Sequence, residues 1–447
     1  MTDILILNGT IVAKARGPVI RGGGLAIEGD RIAALGNAEK LRKEYKDADI
    51  VIDAEKKAVL PGIVNVHSHV GNIFGKGLTE DRENGFYRTA LPLEKYVTPK
   101  DIYHLSLHGC VEALKFGVTC LNEIWHYIWE TARAVAEIGM RGVMAHKVLE
   151  TDLEGLHHGV WRRISGMGDE RLKENIDLIK KWHGKAEGRI TCRFGAHAPD
   201  TCSPELLKRI KELAQNYDVG INTHIGQSKI EMEHMKEVYG KGSVEFLDDI
   251  GFLGPDVVAA HLAWISKEEV EILRRTGTYM AHCPVIMAKR GAFPPMGDIY
   301  RSGVNVALGT DWLSMDPWDN MRCAIEVSRV LTSDVSTLSA TRALELFTTA
   351  SAEALGLEED IGSLEIGKKA DIIIIDLRRP QLNPLHDLIP NLVYYASMGD
   401  VETVIVDGKV ILEDGRAKTV DEEEVVERAQ EAAEGIWGNV SFDPLIV

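Results

Sequence analysis

The chain has 447 residues, a formal net charge of −17 at pH 7, 45% hydrophobic residues and 27% charged residues. This composition excludes a disordered or fibrous protein, and the length favours one large domain with a smaller satellite. The negative charge disfavours binding to nucleic acid or to anionic membranes, so we expect a small-molecule partner, neutral or cationic.

The six cysteines form no CxxC pair, which is typical of reduced thiols in a cytosolic protein. The N-terminal residues include neither a basic segment nor a small-residue cleavage site. No apolar stretch is long enough to span a bilayer. We therefore expect a cytoplasmic protein that does not bind membranes.

Both ends of the chain are rich in short β-type runs separated by turn residues. These runs cover residues 4–12, 24–35, 50–60, 372–375 and 404–412. The last of them contains an Asp-Gly pair, a strong signal for a β-hairpin. We predict a small β-sandwich formed from both termini, residues 1–60 together with residues 361–447, which also include a C-terminal tail.

Between the two ends, short apolar runs alternate with helical segments, the pattern of parallel strands joined by crossover helices. The eight runs cover residues 63–66, 118–124, 142–149, 190–196, 219–223, 257–260, 278–281 and 304–308. Helix starts are marked by Ser203-Pro204-Glu205 and by Ser266 with Glu269. The sequence therefore predicts an α/β fold with a (β/α)8 TIM-type barrel over residues 61–360, whose active site lies at the C-terminal strand ends.

Residues suited to metal binding follow several of these runs. His67-Ser68-His69 comes directly after the first run, and alternate strand residues share a face, so both imidazoles can reach one ion. His197, His224, His261 and Asp311 end the fourth, fifth, sixth and eighth runs. A single one of these histidines is more often a hydrogen-bonded core residue. The whole set at strand ends favours a metal site.

These motifs together resemble the amidohydrolase superfamily. The segments that carry the resemblance are residues 60–69 (LPGIVNVHSH), the later His224 and His261, residues 308–311 (LGTD) and residues 361–371. The sequence is most similar to the ATZ/TRZ branch, which contains cytosine deaminase, methylthioadenosine/S-adenosylhomocysteine deaminases and triazine hydrolases. The resemblance covers nearly the whole chain, and its motifs are specific for the superfamily rather than for a substrate.

The resemblance implies that four side chains bind one divalent metal ion, namely those of His67, His69, His224 and Asp311. Zinc is the expected ion, with iron, manganese or cobalt as alternatives, because histidine and carboxylate ligands accept several first-row ions. His261 and Asp311 would be catalytic, and His197 would contact the substrate. A homo-oligomer is a further expectation from the family.

One position departs from the pattern of the deaminases in this branch. They usually have glutamate three residues after the third metal histidine, whereas this chain has Gln227. A glutamine hydrogen-bonds but does not carry a proton near neutral pH. We therefore expect Gln227 to bind substrate, and we expect Asp311 and His261 to carry the acid–base chemistry.

The expected function is hydrolysis of a non-peptide carbon–nitrogen bond in an N-heterocyclic or aryl small molecule by metal-activated water. Hydrolytic deamination is one form of this reaction. An alternative is cleavage of an exocyclic amide, urea or carbon–halogen bond, as in phenylurea or triazine hydrolases. A non-catalytic scaffold is a third reading, against which the retained ligand set argues.

Other residues have two interpretations each. Lys147 is expected to be salt-bridged or to face the substrate, and Glu123 carries protons only if it points inward. The tryptophans after runs two, three, six and eight either wall the mouth of the barrel or pack between loops. They are Trp125, Trp161, Trp264 and Trp312.

Overall fold

The computed structural model describes residues 3–82 and 85–439. Five strands come first along the chain: β1 (Ile4–Val12), β2 (Val19–Glu28), β3 (Arg31–Asn37), β4 (Ile50–Asp53) and β5 (Lys57–Pro61). β2 and β3 form an antiparallel hairpin around a turn at Gly29-Asp30. β1 pairs antiparallel with β2 and parallel with β4 and β5.

The next strands form the predicted barrel. They are β6 (Ile63–Ser68), β7 (Val118–Trp125), β8 (Arg141–Val148), β9 (Ile190–Cys192), β10 (Phe194–Ala196), β11 (Ile221–Ile225), β12 (Val257–His261), β13 (Tyr279–His282) and β14 (Val306–Leu308). Neighbouring strands of this sheet pair in parallel. β9 and β10 share the fourth position, because the fourth predicted run is broken between Cys192 and Phe194. The (β/α)8 prediction is confirmed.

The barrel closes where the segment after β14 meets the end of β6, a junction that we call the seam (residues 65–69 and 309–311). The backbone N–H groups of Thr310 and Asp311 donate to the carbonyl oxygen of His67 at 3.1 and 3.0 Å, and His69 N–H donates to the Asp311 carbonyl at 3.2 Å. Gly309 is required here, because a Cβ atom at this position would lie 2.8 Å from the His67 carbonyl oxygen.

The C-terminal strands return to the first sheet. They are β15 (Ile372–Asp376), β16 (Val401–Val406), β17 (Lys409–Glu413) and β18 (Arg416–Ala417). β15 pairs antiparallel with β5, so both termini contribute to one nine-stranded mixed sheet. Asp407 (φ 51°) and Gly408 (φ 76°) form the predicted hairpin turn. The β structure from both termini is confirmed, while the division at residues 60/61 and 360/361 stays a prediction.

Helices connect and cover the strands. They are α1 (Ala38–Glu44), α2 (Leu91–Leu93), α3 (Pro99–Lys115), α4 (Ile128–Ile138), α5 (Leu153–His157), α6 (Met167–Trp182), α7 (Pro204–Tyr217), α8 (Lys229–Tyr239), α9 (Ser243–Asp249), α10 (Lys267–Thr276), α11 (Pro284–Lys289), α12 (Met296–Ser302), α13 (Pro317–Thr332), α14 (Ala340–Leu346), α15 (Thr349–Leu355), α16 (Leu388–Tyr395) and α17 (Glu422–Trp437). Both predicted helix starts are confirmed: Ser203 caps α7, and Ser266 with Glu269 forms a capping box on α10. Within residues 3–82 and 85–439, none of these helices is long and apolar enough to cross a membrane.

A buried ion-pair cluster joins the barrel to the mixed sheet. The Arg141 guanidinium on β8 contacts the carboxylates of Asp371 and Asp407 at 2.9 and 3.1 Å, and its side chain is 6% exposed. The Asp407 N–H also donates to Asp371. Removing one partner of such a cluster leaves buried charge without compensation.

Replacing Arg141→Met should therefore lower the free energy of unfolding by about 3–5 kcal/mol, since the buried Asp371 carboxylate loses the Arg141 cation and Asp407 keeps only Lys369, at 3.1 Å. Urea unfolding followed by circular dichroism measures this. The control is Arg428→Ala on α17, where the arginine is 51% exposed and pairs with Glu431. If both variants unfold at the same urea concentration as the wild type, the cluster does not hold the two sheets together.

Candidate metal centre

The C-terminal ends of the barrel strands bring together the predicted ligand residues. β6 carries His67 and is followed by His69, β11 carries His224, and Asp311 lies three residues after β14. The strands are parallel, so their C-terminal ends meet on one face of the barrel, where barrel enzymes place their chemistry. All four side chains are buried.

The ligand atoms of these residues lie close to one another. The Nε2 atom of His69 is 3.3 Å from Asp311 Oδ1 and 3.4 Å from His224 Nε2, and His67 Nε2 is 3.8 Å from the same Asp311 oxygen. Each of the three histidines offers one donor atom, and these three atoms all lie within 4.8 Å of one another. His67, His261 and Asp311 form a second, overlapping group of the same size.

The protonation of the cluster suits a divalent metal ion. Burial lowers the pKa of His67 and His69 well below its ordinary value and lowers that of His224 to about 4, so all three imidazoles are neutral near pH 7. His67 Nε2 and Asp311 Oδ2 are buried and have no hydrogen-bond partner among the described residues. Buried polar atoms without partners are costly. A cation bound by these donors would remove that cost, and the residues fit the metal that the resemblance implies.

The backbone is strained at the same place. His261 has a φ of 78° and Asp311 a φ of 64°, both in the left-handed region that residues other than glycine rarely adopt. Such residues cost about 1–3 kcal/mol each and concentrate at functional sites. The strain supports a functional role for both side chains, because a conformation that costs stability is kept where it positions a functional group.

His261 faces Asp311 across the cluster, with Nε2 at 3.9 Å from Asp311 Oδ2. Burial lowers the pKa of His261 well below its ordinary value, so its imidazole is neutral. A neutral imidazole at this place can serve as a hydrogen-bonding group. Burial raises the pKa of Asp311 to about 6, which suits a group that accepts and returns a proton.

A second layer of residues orients the ligands. His224 Nδ1 hydrogen-bonds the carbonyl oxygen of His197 at 2.7 Å, which turns its other nitrogen towards the cluster. The Glu123 carboxylate accepts hydrogen bonds from the Ser68 hydroxyl at 2.5 Å and from Val70 N–H. Glu123 therefore supports the segment that carries His67 and His69.

Gln227 lines the cavity beside the cluster and is 6% exposed. Its backbone N–H and that of Gly226 donate to the buried carboxylate of Glu231, which also accepts a bond from the Ser243 hydroxyl. Burial, with the nearby charge of Asp200, raises the pKa of Glu231 to about 8. Glu231 thus fixes the loop that presents the Gln227 side chain.

The tryptophan expectation holds in part. Trp264 and Trp312 line a cavity of about 180 Å³ next to the cluster, and Trp125 lines another of about 490 Å³. Trp161 instead stacks on His234 with ring centroids 3.9 Å apart and donates to Asp200.

Lys147 is salt-bridged. Its Nζ lies 3.1 Å from the Glu94 carboxylate and 4.4 Å from the centre of the Trp125 ring, and it is 1% exposed. His126 approaches the same carboxylate at 3.2 Å. The first of the two predicted roles for Lys147 is confirmed.

Sequence reasoning missed two charged residues at the site. Glu94 belongs to a short 3-10 helix in the segment between β6 and α3, and Arg290 follows α11. Neither residue lies at the end of a strand. The histidines were predicted from their positions at strand ends, so the same criterion does not predict Glu94 or Arg290. Only the apolar surroundings of Glu94 and the Lys-Arg pair at residues 289–290 offered a signal.

The chain is similar to known proteins over nearly its whole length. The model of the "Amidohydrolase family" matches residues 58–411. A 5′-deoxyadenosine deaminase of Methanosarcina mazei is 36% identical over 99% of this chain and 100% of its own length. A 5-methylthioadenosine/S-adenosylhomocysteine deaminase of Caldanaerobacter subterraneus is 34% identical over 98% of this chain and 100% of its own length.

A crystal structure of a zinc-bound adenosine deaminase from Xanthomonas campestris has a similar fold. It superposes with a TM-score of 0.90 at 24% identity and covers 97% of this chain and 98% of its own. The barrel and the mixed sheet therefore occur together in a known fold.

His67→Ala should abolish tight binding of a divalent metal, because one donor of the cluster is lost. Wild-type protein should hold about one ion per chain, as elemental analysis by mass spectrometry measures after purification. The matched control is His104→Ala on α3, outside the barrel, which should keep its metal. Full metal content in the His67 variant would show that the cluster is not the site.

Proposed function

The chain belongs to the amidohydrolase family, and we propose that it hydrolyses the exocyclic amino group of an N-heterocycle of the aminopurine nucleoside class, releasing ammonia. It is a hydrolase of carbon–nitrogen bonds other than peptide bonds. The observation that carries the proposal is the buried convergence of His67, His69, His224 and Asp311 in a chain that aligns over its whole length with deaminases.

The enzyme is metal-dependent, as its family is, and we assign one zinc ion to the four ligands. Three imidazoles and a carboxylate are nitrogen and oxygen donors that zinc prefers, with iron, manganese and cobalt as alternatives. When bound, the ion supplies the Lewis acidity that makes water a nucleophile near neutral pH. The homo-oligomer and the cytoplasmic location stay predictions from the sequence.

The reaction replaces nitrogen by oxygen on one ring carbon. The oxygen of water forms a bond to that carbon, and the carbon–nitrogen bond breaks with its electron pair on the leaving nitrogen. One proton of the water ends on the ring nitrogen and the other on the departing ammonia. The Asp311 carboxylate accepts a proton from water and passes it on.

The other residues bind and orient. The neutral His261, 3.9 Å from Asp311, donates a hydrogen bond to the oxygen that replaces the amine. His197, whose ring lies 5.2 Å from that of His224, contacts the heterocycle. The Gln227 side chain holds the ring nitrogen as a neutral hydrogen-bond partner.

A second candidate function is favoured by Gln227 itself. An amide does not carry a proton between water and a ring nitrogen, whereas cleavage of an amide, urea or carbon–halogen bond needs no such transfer. The same cluster and the same Asp311 would serve that reaction. Ammonia release from 5′-deoxyadenosine and adenosine distinguishes the two candidates directly.

The proton-transfer role of Asp311 gives a further prediction. In metal-replete protein, Asp311→Asn should lower turnover about 100-fold or more, because an amide accepts no proton from water. His261→Ala should also be severely impaired, and the exposed control Asp177→Asn should be unaffected. Near-normal ammonia release from both site variants, with metal confirmed in each, would refute these roles.

Gln227 separates the two candidate functions. If the enzyme deaminates with Gln227 as a neutral partner, Gln227→Ala should raise KM more than it lowers kcat. Gln227→Glu should reduce turnover, because a second carboxylate beside Asp311 opposes negative charge on the attacked ring. Steady-state ammonia assays test both, with exposed Gln215→Ala as the control. A large gain of ammonia release in Gln227→Glu would favour the second candidate instead.

A further inference from the structure

The cavity beside the metal cluster is positively charged, although the whole chain carries −17. Among the lining residues that the structure describes, the charged side chains are those of Arg82, Lys229, Lys289, Arg290 and Glu80. Four are cations and one is an anion. A concentration of cations in a concave site attracts anions and raises their local concentration.

Arg290 connects this cavity to the metal cluster. Its guanidinium is 4.0 Å from Asp311 Oδ2, and it lies over the Phe86 ring with 5.4 Å to the ring centre. The side chain is 23% exposed, so it is held between the buried carboxylate and the cavity. The Asp311 carboxylate is also one of the proposed metal ligands. A metal ion would therefore compete with Arg290 for the negative charge of that carboxylate.

The two lysines are only loosely paired with acids. Lys289 Nζ is 3.8 Å from Glu80, and Lys229 Nζ is 3.6 Å from Glu233. Both distances exceed those of a charge-assisted hydrogen bond, which are about 2.7–2.9 Å. An anionic ligand at hydrogen-bond distance would therefore bind the ammonium groups more tightly than these carboxylates do.

Apolar and aromatic side chains line the same cavity. Trp264, Trp312 and Phe86 line it together with Ile286 and Leu313. A planar apolar wall with a cationic rim is the arrangement that binds an aromatic body and fixes its anionic substituent.

We propose that this cavity binds an anionic substituent of the substrate, a carboxylate or a phosphate, through Arg290 with Lys289 and Lys229. The inference rests on the proposed function for the heterocycle, but the anion site itself does not depend on the bond that is cleaved. It reverses the expectation of a neutral or cationic ligand, because the charge of the whole chain does not describe the charge of its cavity.

The test measures binding of simple anions to the metal-loaded enzyme by isothermal titration calorimetry. The probes are inorganic phosphate and, in a second arm, succinate, each at constant ionic strength set with chloride. Arg290→Gln should weaken binding of the preferred anion about tenfold or more, since charge-assisted hydrogen bonds are lost. Lys289→Gln should weaken it less, and the exposed control Lys208→Gln should bind as the wild type does.

Preference for one probe identifies phosphate or carboxylate as the substituent. Two results would overturn the proposal: neither anion binds the wild type, or binding persists unchanged in Arg290→Gln, as it would if the anion bound only to the metal. Thermal unfolding of each variant shows that it is folded. If anions bind as predicted but no aminopurine releases ammonia, the proposed function fails while the anion site stands.

Discussion

The site depends on the closure of the barrel at the seam. Backbone hydrogen bonds between the His67 carbonyl and the N–H groups of Thr310 and Asp311 join the first and last strands. Side chains strengthen the junction, because Asn65 donates to the Thr310 hydroxyl at 2.8 Å and accepts from Thr310 N–H at 3.1 Å. The same few bonds that close the fold therefore place Asp311 against the histidines of the first strand.

Burial then determines the chemistry of the groups that the seam assembles. It keeps the imidazoles of His67, His69 and His224 neutral and able to bind a cation, and it raises the pKa of Asp311 into the range useful for proton transfer. Charged residues surround this cluster on two sides. Lys147 is neutralised by Glu94, whereas Arg290 remains directed at the cavity.

Strand periodicity and the positions of polar residues predicted much of this arrangement from the sequence. The HxH pair after the first run and Asp311 after the last are at strand ends, and parallel strands in a barrel bring such ends together. The Asp-Gly turn at 407–408 likewise predicted the returning hairpin, because both residues tolerate a positive φ. The local sequence pattern was sufficient to predict a residue's position wherever that residue lies at a strand end or in a turn.

Loop residues could not be predicted in this way. Arg290 and Glu94 reach the site through chain segments whose conformations depend on contacts distant in sequence, with Phe86 and with Lys147. The role of Glu123 could not be predicted either, since the strand pattern does not show that its carboxylate accepts hydrogen bonds from the Ser68 hydroxyl and Val70 N–H. Net charge likewise averages over the whole surface, so it does not show that four of the five charged side chains described along the cavity are cationic.

The seam and β11, which carries His224, bring together the ligands proposed for one metal ion. Anomalous X-ray diffraction from crystals of the zinc-loaded protein, recorded on both sides of the zinc absorption edge, tests it most directly. The account predicts one strong anomalous peak per chain, within about 2.0–2.2 Å of nitrogen or oxygen atoms of His67, His69, His224 and Asp311. A peak elsewhere, or no peak in zinc-loaded crystals, would contradict it.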